Sequence, residues 1–363
     1  MTNPTPKALL QQLASGLLAF AAATAALTPT ASHAGTGLAE LPGLQGDGPV
    51  TVFYPSTAAD QAVQRGPFTL QLAHQAEPVR GNGRLVVITH GSGGNPWVHT
   101  DLARTLVAAG FVVALPEHAG DNSKDSSTPG PDSWKRRPAE VSRAVDALAQ
   151  DTRFGPLLAL DKVGLFGGSA GGHTALTFAG GRWSAERFKQ HCEAHIAEDF
   201  SSCVGYFTRL RGNLFDGLKK AVALGVIRIR FDDTAEQSYQ DPRVHAAVAS
   251  VPFAADFDMA SLAAPRIPLG LVTAGKDVNQ IPRFHSGAVL AACQGRCTHI
   301  ADLADGSHGV MLSPMPPLHL LSDVTRELLI DPPGFDRSQL AQVDTKIVAF
   351  FAQHLQPLQS RTP

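Results

Sequence analysis

The sequence predicts an α/β fold: a doubly wound, mostly parallel sheet with a helical cap inserted into it. Three observations carry that expectation. Apolar, β-branched runs alternate with segments of helical spacing, the order expected of a parallel sheet covered on both faces. Runs such as RLVVITH (84–90) lack the polar alternation of a half-exposed strand and suit a strand buried on both sides. One charged, helix-patterned stretch, 181–243, interrupts the rhythm and reads as the cap.

The elements follow in order. VTVFYP (50–55) and FTLQLAH (68–74) are early strands, and RLVVITH is the first buried one. DLARTLVAAG (101–110) has helical spacing and stops at a glycine, and FVVALPEH (111–118) is strand again. The Pro/Ser/Asp-rich stretch 121–133 reads as a flexible connection, with lining of an active-site rim the weaker reading, before a helix at 137–151 with Pro138 near its start, where a missing N–H does no harm. KVGLFGGS is strand and AGGHTALTFAG is helix. After the cap come strands VHAAVASV (244–251) and RIPLGLVTAG (266–275). In the closing helix QVDTKIVAFFAQHL, Val343, Ile347, Phe351 and Leu355 share one face.

Composition bounds the function. The chain has 363 residues, and its first 34 are patterned as a secretory signal: one lysine, an alanine-rich apolar stretch, and small residues ending Ser32-His33-Ala34. Cleavage after Ala34 would leave 35–363 as the mature domain, periplasmic or secreted, with no integral membrane span. A net charge of −2 gives no electrostatic case for nucleic acid. The cluster Lys135-Arg136-Arg137 reads as a solvated patch. In an exported chain the four cysteines suggest two disulfides. Three pairings are possible; Cys192–Cys203 and Cys293–Cys297 are preferred because each closes a short loop. Zinc is the weaker reading, since the four sulfurs form no CxxC pair.

GLFGGSAGGH (164–173) holds five glycines in ten positions. No lysine follows it as a Walker A loop requires, and Ser169 stands where a dinucleotide fingerprint needs glycine. What remains is GxSxG, Gly167-Gly168-Ser169-Ala170-Gly171, between an apolar strand and a helix. A serine on so sharp a turn presses the residues two positions away against each other, and glycine there removes the colliding side chains. The acid and the base should follow in that order. Asp277 comes just past the strand ending at Gly275, and His308 lies in the turn-rich Asp305-Gly306-Ser307-His308-Gly309. Upstream, strand RLVVITH runs into His90-Gly91-Ser92-Gly93-Gly94, so the backbone N–H groups of Ser92 and Ala170 are the expected oxyanion donors. The expected chemistry is attack of Ser169 on an ester carbonyl, with His308 as base and Asp277 as its partner. It needs no metal and no cofactor.

These stretches, HGSGG, GGSAGG, GKD and GSHG, resemble the α/β-hydrolases in order and context over about residues 46–356. Within that superfamily the chain is most similar to the dienelactone-hydrolase and platelet-activating-factor-acetylhydrolase group, through GPVTVFYPS, WKRRPAEVSRAVDAL and DPRVHAAVASVP. The resemblance implies an esterase acting on a small-molecule or lipid-like ester. Two departures limit it. Dienelactone hydrolases use cysteine where this chain has Ser169, so lactone chemistry does not carry over. The acetylhydrolases place their acid after the strand that follows the elbow; ASVPFAADFD offers only Asp256 there, which stands in reserve to Asp277. His90 and His173 are expected to be structural and His118 a rim residue, while Trp97 and Trp134 are candidates for the acyl pocket or for cap packing.

Overall fold

A computed structural model describes residues 35–356. The expected signal, 1–34, lies outside the described residues. Every element below belongs to the unit His33–Pro363.

The strands are β1 (Gly35–Leu41), β2 (Val50–Ser56), β3 (Gln61–Arg65), β4 (Phe68–His74), β5 (Leu85–Thr89), β6 (Val112–Pro116), β7 (Val163–Gly168), β8 (Arg182–Trp183), β9 (Val244–Ser250), β10 (Phe257–Asp258), β11 (Leu269–Ala274) and β12 (Thr298–Leu303). They make a 10-stranded sheet in the order β12-β11-β9-β7-β5-β6-β2-β1-β4-β3, and β8 and β10 form a separate two-stranded ribbon. From β12 to β6 all neighbours run parallel. Beyond β6 the sheet is mixed: β2 is antiparallel to β6 and β1, β1 is parallel to β4, and β3 closes the edge antiparallel to β4. The class is therefore α/β with a large, mostly parallel mixed sheet. β1, β3 and β12 were not read from the sequence; THIADL in β12 alternates weakly and has two exposed positions at its start.

The pleat sends alternate residues into two cores. Leu85, Val87 and Leu165 face one, with the helices Pro131–Gln150 and Ala170–Phe178. Val86, Ile88 and Phe166 face the other, with the helices Thr100–Ala108 and Leu340–Leu355. Val343, Ile347, Phe351 and Leu355 are all buried there, as their spacing predicts. Gly164 lets this last helix lie close, because a Cβ at that position would stand 2.8 Å from the Phe351 ring. Strand order reverses around β5, with β6 on one side and β7 on the other, and the carboxyl ends of β5 and β7 are where sheets of this kind bind ligands.

One helix differs from its sequence reading. It runs Pro131–Gln150, a turn and a half earlier than expected. Pro131 takes the first helical turn, where proline is at home, and Pro138 sits inside, leaving the Trp134 carbonyl without its usual donor. The stretch 121–133 is also tied down: Arg136 donates to Thr128 Oγ1 and to the Ala119 carbonyl, and the Asn122 carboxamide caps Lys124 and Asp125.

The segment 181–243 folds as β8 and the helices Ala185–His195, Phe200–Val204 and Asp216–Arg230. Cys192 and Cys203 bond its first two helices together, their Cα atoms 5.8 Å apart. Cys293 bonds Cys297 across the end of the helix Ser286–Cys293. Ser184 caps the first cap helix by accepting the Arg187 N–H. The β8–β10 ribbon and the aromatic group of Trp134, Trp183, Phe188 and Phe253 fasten this segment to the large sheet and its helices. No helix among the described residues is long and apolar enough to cross a membrane.

Candidate active site

β7 ends at Gly168 and the next helix starts at Ala170, so Ser169 alone makes the turn. Its backbone, φ 55° and ψ −117°, is costly for a residue with a Cβ. Neighbouring backbone holds it there: its N–H donates to Ser250 O at 3.0 Å, and its carbonyl accepts from His173 N at 3.0 Å and Phe253 N at 3.2 Å. Gly167 matches the steric argument, and Gly171 is required for a different reason, the approach of Thr89. A Cβ on Gly167 would lie 2.0 Å from Gly171 O, and one on Gly171 would lie 2.0 Å from Thr89 O.

β11 and β12 are parallel neighbours, so the loops after them are adjacent, and these loops carry Asp277 and His308. Asp277 Oδ1 accepts the N–H groups of Asn279 (2.9 Å) and Gln280 (2.7 Å), which fixes the carboxylate and leaves Oδ2 free. Oδ2 lies 2.7 Å from His308 Nδ1, and His308 Nε2 lies 2.9 Å from Ser169 Oγ. An ionised carboxylate only accepts, so Nδ1 bears the proton and Nε2 offers its lone pair to the serine hydroxyl. Asp277 and His308 are buried, and Ser169 is partly open. Next to His308, Ser307 donates through N–H to Asp331 and through its hydroxyl to Leu329 O, pinning the loop. Asp256 is elsewhere: it is buried against His173 Nε2 at 3.0 Å and makes no bond to His308.

On the other side of Ser169 stands the loop after β5. A Cβ on Gly91 would come within 3.2 Å of Ser169 Cβ, so glycine there lets the loop approach without crowding the serine. The N–H groups of Ser92 and Ala170 have no acceptor among the described residues. The loop is braced from beneath by a group that the sequence reading missed. Arg137 is fully buried and not part of a solvated patch; it donates to His90 O (2.5 Å), Ser133 Oγ (2.9 Å) and Asp121 Oδ2 (2.9 Å). Asp121 Oδ1 in turn accepts from Ser92 Oγ (2.5 Å) and Gly93 N (3.1 Å). Burial alone would raise the Asp121 carboxyl, but the Arg137 charge and the hydrogen bonds from Ser92, Ser133 and Arg137 together hold the group below its usual range. Gln280 was also missed. Its Nε2 donates to Ser169 Oγ at 3.2 Å, and nothing but its place three residues after Asp277 marks it in the sequence.

His118 is not a rim residue. It is fully buried, with Nδ1 2.5 Å from Glu140 Oε2 and Nε2 2.6 Å from Thr89 Oγ1. Burial, with the Arg137 charge, drives it well below the ordinary histidine range, so the ring is neutral and acts as a strut under β5. His90 packs against it and is lowered by the same burial. Trp134 stacks on His173 and Phe253 in the cap packing, while Trp97 lines a separate cavity of about 230 Å³ with Pro67, Pro96 and Glu117.

His191, Asp199 and His285 are a second cluster, with ligand atoms within 4.8 Å of one another. Ala254 N–H donates to His285 Nδ1 at 3.0 Å, which leaves the ring proton on Nε2, directed at Asp199 Oδ2 at 3.0 Å. A cation at Nε2 would have to displace that proton and break the Ala254 bond. With His191 and Ser202 also donating to Asp199 Oδ2, the cluster is a hydrogen-bonded tie between the cap and the helix Ser286–Cys293.

The chain matches no protein-family model and no curated protein.

Proposed function

We propose that this chain is an exported serine hydrolase of the α/β-hydrolase fold that cleaves carboxylic esters. The observation that carries the reading is the hydrogen-bonded line from Ser169 Oγ through His308 to Asp277, with Ser169 on a strained turn at a helix N-terminus. Ser169 Oγ attacks the carbonyl carbon while His308 Nε2 takes its proton. Asp277 keeps the imidazole in the receiving tautomer and stabilises the imidazolium. The oxyanion is held by the N–H groups of Ser92 and Ala170, at the start of the helix Ala170–Phe178, where the helix dipole adds to them. His308 returns its proton to the leaving alcohol, and water then releases the acyl group by the same steps in reverse. The cap bounds the acyl or alcohol pocket. The expected signal at 1–34 supports a periplasmic or secreted location.

The test is kcat/KM on p-nitrophenyl esters from acetate to palmitate, with Ser169→Ala beside it and a fluorophosphonate probe on both. A fall of about a thousandfold or more in the variant, with labelling lost, is the expected result. Equal rates in the two proteins would overturn the reading. Labelling of Ser169 without ester turnover would move it to another acyl substrate.

A further inference from the structure

Two polar side chains meet Ser169 Oγ among the described residues. One is His308, through Nε2, and the other is the Gln280 carboxamide, whose Nε2 lies 3.2 Å away. Asp277 Oδ1 accepts the backbone N–H groups of Asn279 and Gln280, so the turn that fixes the acid also aims the Gln280 side chain at the nucleophile. Proton bookkeeping decides which end of the amide faces the serine. Asp277 keeps the His308 proton on Nδ1, so the serine hydroxyl commits its only proton to His308 Nε2 and can only accept from Gln280. The end facing Oγ is therefore the NH2. The other end, Oε1, is buried and meets no donor. A carboxamide that served the fold alone would gain by pairing both ends, and an unpaired buried carbonyl is the kind of cost that functional sites carry.

A donor on the nucleophile affects the two halves of ester hydrolysis unequally. During acylation Oγ passes from a hydroxyl, a good acceptor, to the bridging oxygen of an ester, a poor one, so the bond from Gln280 weakens as that step proceeds. In deacylation water attacks the acyl carbon and gives a proton to His308 Nε2. The bond from the acyl carbon to Oγ then breaks, its electron pair goes to Oγ, and His308 returns the proton there, freeing the carboxylic acid and the serine. Negative charge gathers on Oγ as that bond breaks, and a hydrogen bond to a charged oxygen is stronger than one to a neutral oxygen. We propose that Gln280 is a further catalytic residue, its Nε2 stabilising Ser169 Oγ as the leaving group of deacylation. The proposal rests on the ester-hydrolase reading and adds to it a residue that acts on the second half of the cycle.

The experiment compares the wild type with Gln280→Met, which keeps the side chain's length, loses the donor and leaves the backbone N–H on Asp277. Gln280→Leu is a second, independent removal. The substrate is p-nitrophenyl acetate, whose good leaving group makes deacylation limit turnover; kcat/KM then reports acylation, and the steady rate after the burst of p-nitrophenol reports deacylation. The expected result is a kcat lowered about 10–100-fold, a KM lowered with it, and a kcat/KM within about threefold of the wild type. Fluorophosphonate labelling of Ser169 needs no deacylation, so it should run at near the wild-type rate and shows that the variant is folded. In mixtures of water and methanol the ratio of methyl acetate to acetate should match that of the wild type, because the leaving group is the same whichever molecule attacks. Equal falls in kcat and kcat/KM, loss of labelling, or no change at all in both variants overturns the proposal. So does a product ratio shifted towards methyl acetate, since that assigns the amide to the attacking water. A wild type that turns over no ester refutes the hydrolase reading itself; turnover by the wild type without the split in the variants refutes only the role of Gln280.

Discussion

The Arg137–Asp121 pair allows stability and catalysis to be perturbed separately. Arg137→Met keeps the length of the side chain and removes its short bonds to His90 O, Ser133 Oγ and Asp121 Oδ2. Both members of the pair are fully buried, so the variant leaves an uncompensated carboxylate in the interior. Breaking one side of such a pair costs about 3–5 kcal/mol. That is a large share of the roughly 5–15 kcal/mol typical of a domain, yet within reach of urea unfolding. The double variant Arg137→Met, Asp121→Leu removes both charges and should return to within about 1–2 kcal/mol of the wild type. Catalysis should not return with it. Arg137→Met removes the donor that holds His90 O, and the double variant also removes the acceptor of Ser92 Oγ and Gly93 N–H, so in both the loop presenting the Ser92 N–H loses a brace. Misplacing one oxyanion donor lowers the rate about 10²–10³-fold, so kcat/KM on p-nitrophenyl butyrate should stay depressed by that factor in single and double variants alike. A double variant with wild-type kcat/KM would show that the pair serves the fold alone, and the bracing argument would fall.

Two further predictions concern the acids. Asp277→Asn should lower kcat about 10⁴-fold with the fold intact, because an amide in that place no longer selects the receiving tautomer of His308, whereas Asp256→Asn should leave kcat within about threefold; the reverse ranking would make Asp256 the working acid. Burial and the neighbouring Asp101 push Asp344, on the closing helix, up to about 7. The folded protein therefore holds this proton more tightly than the unfolded chain does. Its contribution to stability is complete below the ordinary carboxyl value of 3.8 and is lost as the pH rises to about 7. Asp344→Asn should remove that loss and gain up to about 4 kcal/mol above pH 7, with little change near pH 4. Urea midpoints of both proteins at pH 4 and pH 8 check it, and identical shifts at the two values would contradict the assignment.

The central strands were readable because burial on both faces leaves a signature that no neighbour can hide. Val86, Val87 and Ile88 go to opposite cores, so every position must be apolar. The early edge was less readable. β3 is QAVQR, an exposed strand whose place is decided by pairing with β4 and not by its own pattern. The start of the helix Pro131–Gln150 was misjudged for a related reason. Its first turn, Pro-Asp-Ser-Trp, has the composition of a loop, and only Trp134, packed among Trp183, Phe188 and Phe253, reveals that the turn is held by tertiary contact.

Ser169, Asp277 and His308 could be singled out because each stands at a punctuation mark, directly after a strand's end or within a glycine-rich turn, and strand ends are what apolar runs locate. Arg137 stands at no such mark. It belongs to a run of three cations on a helix, where successive residues point about 100° apart, so the three face in different directions and the run alone does not say whether one is buried. Which one is buried depends on where the helix lies against β5, and hence on contacts remote in sequence. The glycines teach the same lesson. Gly167 and Gly171 are required because backbone lies 2.0 Å from where their side chains would be, whereas a Cβ on Gly168 would meet only His99 Cε1 at 3.9 Å. The sequence prints all of them alike. The pattern GxSxG separates them only because its fixed positions are the two whose side chains would run into backbone, Gly167 into Gly171 and Gly171 into Thr89, while Gly168 would meet nothing closer than ordinary contact distance.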